Sequence, residues 1–202
     1  MKIGVLVSGE GTNLQALLDA EGAGELSPGH IACVISSRPD APALVRATEA
    51  GKPAIAIDHK QFPERNAFED KLIDALHHHK VELVVLAGFM RVLTAHFLGR
   101  YPLKVINTHP SLLPAFPGID APAQAIAHGV KVSGVTIHFV DASLDGGPII
   151  AQVPVAVFPA DDAATLHARI QREEHRLLPE VVQRLAAGLV TCEGRHVVER
   201  AK

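Results

Sequence analysis

Asn107 and His109 are the residues whose types and spacing most directly suggest chemistry. They stand two positions apart at the end of an apolar run, and the chain turns immediately afterwards at Pro110. Side chains two apart on a strand share a face. His109 is suited to act as a general acid or electrostatic catalyst near neutral pH, and Asn107 is an uncharged donor of the kind that stabilises a developing oxyanion. The alternative is a histidine with a purely structural role.

Asp145 is a candidate carboxylate partner for this pair. It precedes Gly146-Gly147-Pro148, a rigid turn that can aim the carboxylate at His109. A nearby carboxylate favours the imidazolium form of histidine, and it can also pass a proton through water. The alternative is a turn residue, because Asp often hydrogen-bonds to its own backbone in such turns.

Residues 8–13 have the composition of a phosphate-binding turn. Gly9 and Gly11 let the backbone approach an anion, and Thr12 and Asn13 offer donors at the start of a helix, where free N–H groups point outward. No Gly-Lys-Ser/Thr follows, and a leucine stands where GxGxxG needs its third glycine. A compact monophosphate therefore fits better than a triphosphate or a dinucleotide. The alternative is a tight turn in which Asn13 caps its helix.

Residues 88–93 place bulky apolar side chains and a guanidinium directly after a buried strand. Such a patch can hold a flat heteroaromatic ring while Arg91 meets a carboxylate or a phosphate. Met90 and Leu93 are also compatible with ordinary core positions, and the residues alone favour that interpretation.

No metal site is expected. His109, His138 and Asp145 are conceivable zinc ligands, but none of the spaced zinc signatures is present. The consecutive histidines at 77–79 cannot converge on one ion, and we expect them to interact with the dipole at a helix end.

The elements that must position these residues alternate between strand and helix. Apolar runs predict strands at 2–7, 31–35, 54–57, 81–87 and 105–108, and helical spacing predicts helices from Leu14 onward and at 42–50, 63–79 and 94–99. This alternation predicts an α/β fold with a single open, mostly parallel, Rossmann-like sheet and helices on both faces. Ligands of such sheets bind beyond the carboxyl ends of the strands, where the polar segments fall.

The last part of the chain differs, because the alternation of strand and helix ends after Gly129. A proline-rich loop is predicted to run through Pro122, and strands at 132–140 and 149–157 with a short connection predict an antiparallel hairpin. A helix at 163–187, with Pro179 inside it, and a small hairpin at 190–193 and 196–198 follow. Because no repeat, linker or low-complexity segment is apparent, residues 1–202 are expected to form a single domain.

Composition and charge exclude several classes of protein. The 202 residues have a formal net charge of -3, so nothing favours a nucleic-acid partner. No segment approaches the roughly 20 apolar residues of a membrane span, and the opening MKIGVLV is too short for a signal peptide. Cys33 and Cys192 have no metal or redox spacing and are expected to be reduced thiols. We expect a cytoplasmic protein with no nucleic-acid or membrane partner.

Five stretches of the chain, in this order, resemble the phosphoribosylglycinamide formyltransferase family. They are SGEGTNLQALLDA, VVLAGFMRVL, INTHPSLLPAFPGIDAPAQAI, GVTIHFVDASLDGGPIIAQ and REEH. The resemblance covers nearly the whole chain, and its most specific part is the set Asn107, His109 and Asp145 with its flanks. It implies transfer of a formyl group from 10-formyltetrahydrofolate to the amine of glycinamide ribonucleotide, with no metal and no covalent enzyme intermediate.

The resemblance also implies roles for matching positions, while residues 120–123 vary in the family and receive none. The catalytic trio would be Asn107, His109 and Asp145, with His138 as a supporting residue. The residues that would hold the ribonucleotide are Gly11, Thr12, Asn13, Gln171 and Glu174, with Thr12 standing where many relatives carry Ser. The residues that would hold the folate are Arg65, Met90, Arg91, Val92, Leu93, Asn107 and the loop from Asp141 to Asp145.

In the implied reaction the amine attacks the formyl carbon and forms a tetrahedral intermediate. Asn107 and protonated His109 would stabilise its negative oxygen. Asp145 would keep His109 charged and would help to pass a proton from the amine to the leaving folate nitrogen through water.

Related functions remain as alternatives. Formyltetrahydrofolate deformylase, a hydrolase, usually has an N-terminal regulatory domain, and methionyl-tRNA formyltransferase has an extra C-terminal domain. The 202 residues show neither pattern, so we expect the ribonucleotide transferase. A non-catalytic nucleotide-binding module would not need His109 or Asp145. The expected assembly is a monomer or a weak homodimer.

Overall fold

The predicted open, mostly parallel sheet is confirmed by the computed structural model, which describes residues 1–200. The strands of this sheet are β1 (Lys2–Val7), β2 (His30–Ser36), β3 (Ala54–Ala56), β4 (Leu83–Leu86), β5 (Val105–His109), β6 (Val132–Phe139) and β7 (Ile149–Ala156). Their spatial order is β3-β2-β1-β4-β5-β6-β7. β1 to β5 pair in parallel, whereas β6 and β7 form the predicted antiparallel hairpin at one side.

The connections are mostly helical. The helices are α1 (Thr12–Gly22), α2 (Pro42–Glu49), α3 (Arg65–His78), α4 (Ala95–Leu98), α5 (Ala121–His128) and α6 (Ala163–Ala186), with a 3₁₀ turn at His59–Gln61. A separate hairpin, β8 (Val190–Glu193) and β9 (His196–Glu199), follows α6. None of the helices in residues 1–200 combines the length and the apolarity needed to cross a bilayer.

The apolar runs that predicted the strands are buried on both faces of the sheet. In β1 the side chains of Ile3, Val5 and Val7 belong to a core that also contains residues of α1, α2, α5 and α6. Leu6 points to a second core built with α3 and α4. Gly4 also faces α3, where a Cβ atom would lie 2.5 Å from a methyl carbon of Leu76. Helices therefore cover both faces, as predicted.

The strand order reverses between β1 and β4, because β2 and β3 extend the sheet to one side and β4 and β5 to the other. In doubly wound sheets a crevice opens at this reversal, beyond the carboxyl ends of the strands. Residues 8–13, 88–93 and 107–109 all lie at that edge.

Helix α5 corrects the predicted loop. The loop was expected to run through Pro122, but the helix begins at Ala121. Pro122 lies in the first turn, where the missing N–H of proline costs no hydrogen bond. Gly129 ends the helix in the left-handed conformation, at φ 67°. Residues 121–128 followed by a glycine are therefore the sequence pattern that indicates this helix. The neighbouring prolines favoured a loop instead.

Candidate active site

The side chains of Asn107 and His109 leave β5 on the same face, as their spacing predicted. β5 extends one residue further than expected and includes His109, which is only 5% exposed. The Nε2–H of His109 donates to the Phe116 carbonyl oxygen at 2.8 Å. Because a carbonyl can only accept, Nε2 carries a proton, and Nδ1 is the nitrogen that faces the remainder of the site.

Asp145 lies beside this nitrogen. Its Oδ2 is 3.5 Å from His109 Nδ1, and it also accepts the backbone N–H of Gly118 at 2.8 Å. The residue adopts the left-handed conformation, with φ 50°, which few non-glycine residues occupy. Such backbone strain persists only where the surrounding structure enforces it, and it is commonly found at functional sites.

Gly147, two residues after Asp145, allows the loop to press against the end of β6. A Cβ atom on Gly147 would overlap the Phe139 carbonyl oxygen, so no other residue fits there without a shift. The same loop is folded on itself at its start, because Oδ1 of Asp141 accepts the backbone N–H of Ser143 at 2.8 Å. The loop is thus shaped by local contacts that fix where Asp145 points.

His138 lies next to Asn107 across the β5–β6 pair. Its Nδ1–H donates to the Phe139 carbonyl at 2.9 Å, and its Nε2 accepts from the amide nitrogen of Asn107 at 3.2 Å. Burial lowers the pKa of His138 below its usual range, which outweighs the opposing effect of Asp145, whose Oδ1 is 3.9 Å away. The neutral ring therefore orients the Asn107 amide, and the second hydrogen on that nitrogen can serve another acceptor.

The five residues expected to hold the ribonucleotide come together where α1 meets α6. Gln171 donates to Thr12 Oγ1 at 2.9 Å, and Asn13 donates to the carboxylate of Glu174 at 3.2 Å. Glu174 is only 4% exposed, and Thr108 contacts its other oxygen at 3.5 Å.

Gly11 begins helix α1 in a conformation that glycine favours, with φ 75°. A Cβ atom there would lie only 2.6 Å from the Cβ of Ala43, so a larger residue would also collide with α2. Within residues 1–200 no side chain caps α1, which answers the alternative interpretation of Asn13 as a helix cap. The first-turn N–H groups of α1 thus remain suited to an anion.

Five of the residues expected to hold the folate line a cavity of about 400 Å³, whereas Asn107, Asp141 and Asp145 are not part of its lining. Arg65, Met90, Arg91, Val92 and Leu93 all contribute to its wall. Met90 and Val92 are 70% and 60% exposed, so they are not core residues, whereas Leu93 is 5% exposed and packs in the second core.

Sequence reasoning missed several residues of this cavity. They are His59, Phe62, Glu64, Phe68 and Glu69. In the sequence they show only two phenylalanines on either side of the start of α3 and a histidine in a polar turn. Neither feature is specific to a binding site.

A larger cavity, of about 1070 Å³, runs along α1 and α6 and includes Thr12 but none of Asn107, His109 and Asp145. In residues 1–200 no three His, Cys, Asp or Glu side chains are arranged to hold a metal ion.

The arrangement can therefore perform acyl-type chemistry. It places two hydrogen-bond donors and a carboxylate near one strand end, between the uncapped start of α1 and a cavity lined by both apolar side chains and charged ones, two arginines among them. Because the relative positions are held by buried contacts, the donors need little reorganisation when charge develops.

Comparison with known sequences places the chain in a family. The sequence model of the formyl transferase family matches residues 1–182. The phosphoribosylglycinamide formyltransferase of Mycobacterium tuberculosis is 46% identical over 191 residues, which cover 95% of this chain and 87% of that protein. The trifunctional purine biosynthetic protein adenosine-3 of Drosophila melanogaster is 42% identical over 188 residues, but the match spans only 14% of that longer protein and 93% of this chain.

A solved structure gives the same result for the fold. The crystal structure of glycinamide ribonucleotide transformylase 1 from Symbiobacterium toebii has a TM-score of 0.97 and 48% identity, over 100% of this chain and 94% of that chain. This chain belongs to the formyl transferase family.

Proposed function

We propose that this chain transfers the formyl group of 10-formyltetrahydrofolate to the amine of glycinamide ribonucleotide, a step of purine biosynthesis. The observation that supports it most is the convergence of Asn107, His109 and Asp145 at the end of β5, with Nδ1 of the histidine 3.5 Å from the carboxylate. The names of the similar proteins agree with this reaction.

The oxyanion of the tetrahedral intermediate would be bound by Asn107 and His109. His109 Nε2–H is committed to the Phe116 carbonyl, so the protonated Nδ1 is the donor that can serve the reaction. Its 3.5 Å separation from Asp145 is longer than a good hydrogen bond, so an oxyanion can compete for that proton. The free N–H of the Asn107 amide supplies the second donor.

Asp145 would have two tasks. Its carboxylate, 3.5 Å from Nδ1, would face the His109 ring while that ring binds the oxyanion. It would also take the proton that the attacking amine loses and return it, through water, to the folate nitrogen that leaves. No residue of the chain needs to form a covalent bond with either substrate.

The ribonucleotide would bind between α1 and α6. The N-terminal turn of α1, from Gly11 to Asn13, would hold the phosphate through its uncapped N–H groups. The buried carboxylate of Glu174, already bonded to Asn13 and Thr108, would accept hydrogen bonds from the sugar or glycinamide end. Gln171 would hold Thr12 in place.

The folate would occupy the cavity of about 400 Å³ beside β4. Its lining suits the molecule, because the side chains of Phe62, Phe68 and Met90 are apolar and can hold flat rings. Arg65 and Arg91, on the rim, suit the carboxylates at the other end. Asp141 to Asp145 would close the side nearest the trio.

The proposed setting is the cytoplasm, with the chain as a monomer or a weak homodimer. Cys33 and Cys192 are free thiols, which is compatible with a reducing compartment. Sedimentation velocity over a range of protein concentrations would test the assembly.

The first test follows loss of the formyl group from 10-formyltetrahydrofolate spectroscopically, with and without glycinamide ribonucleotide. We expect turnover only with the ribonucleotide, and we expect Asp145→Asn to lower kcat by about 100-fold or more, as for loss of a proton-transfer group. The matched control is Asp74→Asn, because that carboxylate is 72% exposed on α3. Equal turnover without the ribonucleotide would identify a hydrolase, and no turnover in either condition would refute the folate assignment.

A further inference from the structure

The folate-side loop at 88–93 is tied to two neighbouring strand ends by a chain of hydrogen bonds. The backbone N–H of Met90 donates to Ser8 Oγ at 2.9 Å, and Ser8 Oγ bonds Ser37 Oγ at 2.7 Å. Ser8 and Ser37 directly follow β1 and β2 and are 4% and 1% exposed. His59 Nδ1 then bonds the Ser37 carbonyl at 2.9 Å, and the guanidinium of Arg91 bonds His59 Nε2. The chain thus leaves the loop at residue 90 and returns to it at residue 91.

The partners of His59 determine its proton positions. A carbonyl oxygen can only accept, so Nδ1 donates to Ser37 and carries the proton. A guanidinium can only donate, so Nε2 must present its lone pair to Arg91. His59 is therefore a neutral ring that donates to the fold at one nitrogen and accepts from Arg91 at the other. Asp58 Oδ1, at 3.9 Å from Nδ1, is beyond hydrogen-bond distance.

We propose that His59 is a positioning residue that holds the Arg91 guanidinium at the rim of the folate cavity, ready for a carboxylate of the cofactor. This inference rests on the proposed function. It adds a role for His59, a residue that contacts Arg91 and not the reacting atoms.

The role matters because Arg91 is exposed and its side chain has many rotamers in water. His59 is more constrained, since its side chain is only 16% exposed and its ring packs edge-on to Phe68 at 6.5 Å. A guanidinium held in advance does not lose that freedom when the cofactor binds. Ordering one long side chain is typically worth a few-fold to about tenfold in affinity.

The test uses His59→Ala, Arg91→Ala and the double variant in the transfer assay. We expect His59→Ala to raise the KM for 10-formyltetrahydrofolate about three- to tenfold, while kcat and the KM for the ribonucleotide change less than about twofold. In the Arg91→Ala background, removing His59 should have no further effect, because the residue acts through the arginine. Additive effects would mean that His59 contacts the cofactor directly, and would overturn the proposal.

Two conservative variants separate positioning from simple structural support. An asparagine at 59 can place its amide N–H near the position of Nδ1 and keep the Ser37 bond, but it cannot reach Arg91. A glutamine can place its amide oxygen near the position of Nε2 and accept from Arg91. We expect His59→Gln to restore most of the cofactor KM and His59→Asn to behave like His59→Ala. The reverse order would show that only the Ser37 contact matters.

Failure of this inference is distinguishable from failure of the proposed function. If the wild-type chain does not transfer the formyl group, the proposed function fails. If the wild type is active and Arg91→Ala raises the cofactor KM, but His59→Ala, still folded by circular dichroism, does not, only the role of His59 is refuted.

Discussion

His109 and His138 both lie near the carboxylate of Asp145, at 3.5 and 3.9 Å, yet their surroundings give them different tasks. His109 donates through Nε2 to a backbone carbonyl, so its Nδ1 is the nitrogen that faces the carboxylate. His138 donates through Nδ1 and uses the lone pair of Nε2 to accept from Asn107. One ring presents its Nδ1 to the carboxylate, and the other must be neutral to hold the amide.

This difference predicts a pH effect on stability. Because burial lowers the pKa of His138 in the folded chain, the unfolded chain binds a proton there more readily. The free energy of unfolding is therefore unaffected by His138 above the ordinary pKa of 6.5. It decreases progressively as the pH falls from 6.5 toward the lowered pKa of the folded chain. We expect His138→Asn to lose less free energy of unfolding than the wild type between pH 7.5 and pH 5.5, in urea titrations at each pH. Equal losses in the two proteins would contradict this.

A second prediction concerns Asn107. Asn107→Ala removes one oxyanion donor, so we expect kcat to fall about 100- to 1000-fold with little change in either KM. Steady-state kinetics with both substrates varied would measure it. A variant whose main defect is a raised KM would show that Asn107 binds the ground state instead. Asn107→Ala should still fold, because Asn107 is only half-buried.

At the scale of elements, the start of α4, directly after the folate-side loop, is held from the α3 side by a buried carboxylate. Glu69 is 1% exposed, and it accepts both the backbone N–H of Thr94, at 2.7 Å, and its hydroxyl. We expect Glu69→Ala to lower the free energy of unfolding by about 1–3 kcal/mol, because two donors lose their acceptor. Denaturant titration would measure it. Glu64→Ala is the matched control, since that exposed residue makes no capping hydrogen bond, and it should change stability by no more than about 0.5 kcal/mol.

The loop that carries Asp145 supplies a prediction at the same scale. Gly147→Ala would force the loop away from the Phe139 carbonyl and displace Asp145. A shift of about 1 Å at a reacting group can cost about 100-fold in rate, so we expect a loss of that size in kcat. Gly22→Ala is the control, because a Cβ atom there meets nothing within 4 Å. Similar activity in the two variants would show that the loop tolerates the shift.

The sequence predicted most elements because each strand is an apolar run between polar turns. The bounds of β1, β6 and β7 agree with the predicted ones to within one residue, and those of α3 and β4 to within two. The proximity of Asn107, His109 and Asp145 was also predictable, because the end of β5 and the glycine pair after Asp145 are local signals. His59 was not, since its contacts with Ser37 and Arg91 join residues 22 and 32 positions away. Those contacts depend on how side chains from separate loops pack together, and no local sequence pattern encodes that packing.

At the scale of the whole molecule, two cores share one sheet. Alternate residues of β1 and β4 point into opposite cores, so neither core can be lost without exposing the sheet to water. The proposed site depends on both, since α1 and α6 form the proposed ribonucleotide side and α3 and α4 border the proposed folate side. Coupled cores predict a single cooperative unfolding transition.

A natural reporter allows this prediction to be tested. The chain has no Trp and one Tyr, and Tyr101 is 4% exposed in the second core, next to Phe97. Leu178→Ala removes a fully buried side chain of α6 from the first core and should lower the free energy of unfolding by about 2–5 kcal/mol. In urea, we expect its midpoint to shift equally by far-ultraviolet circular dichroism and by tyrosine fluorescence. Val45→Ala, at a 58% exposed position of α2, should shift neither. A Leu178→Ala variant that shifts the dichroism but leaves the Tyr101 midpoint unchanged would mean that the two cores, and therefore the two halves of the site, unfold independently.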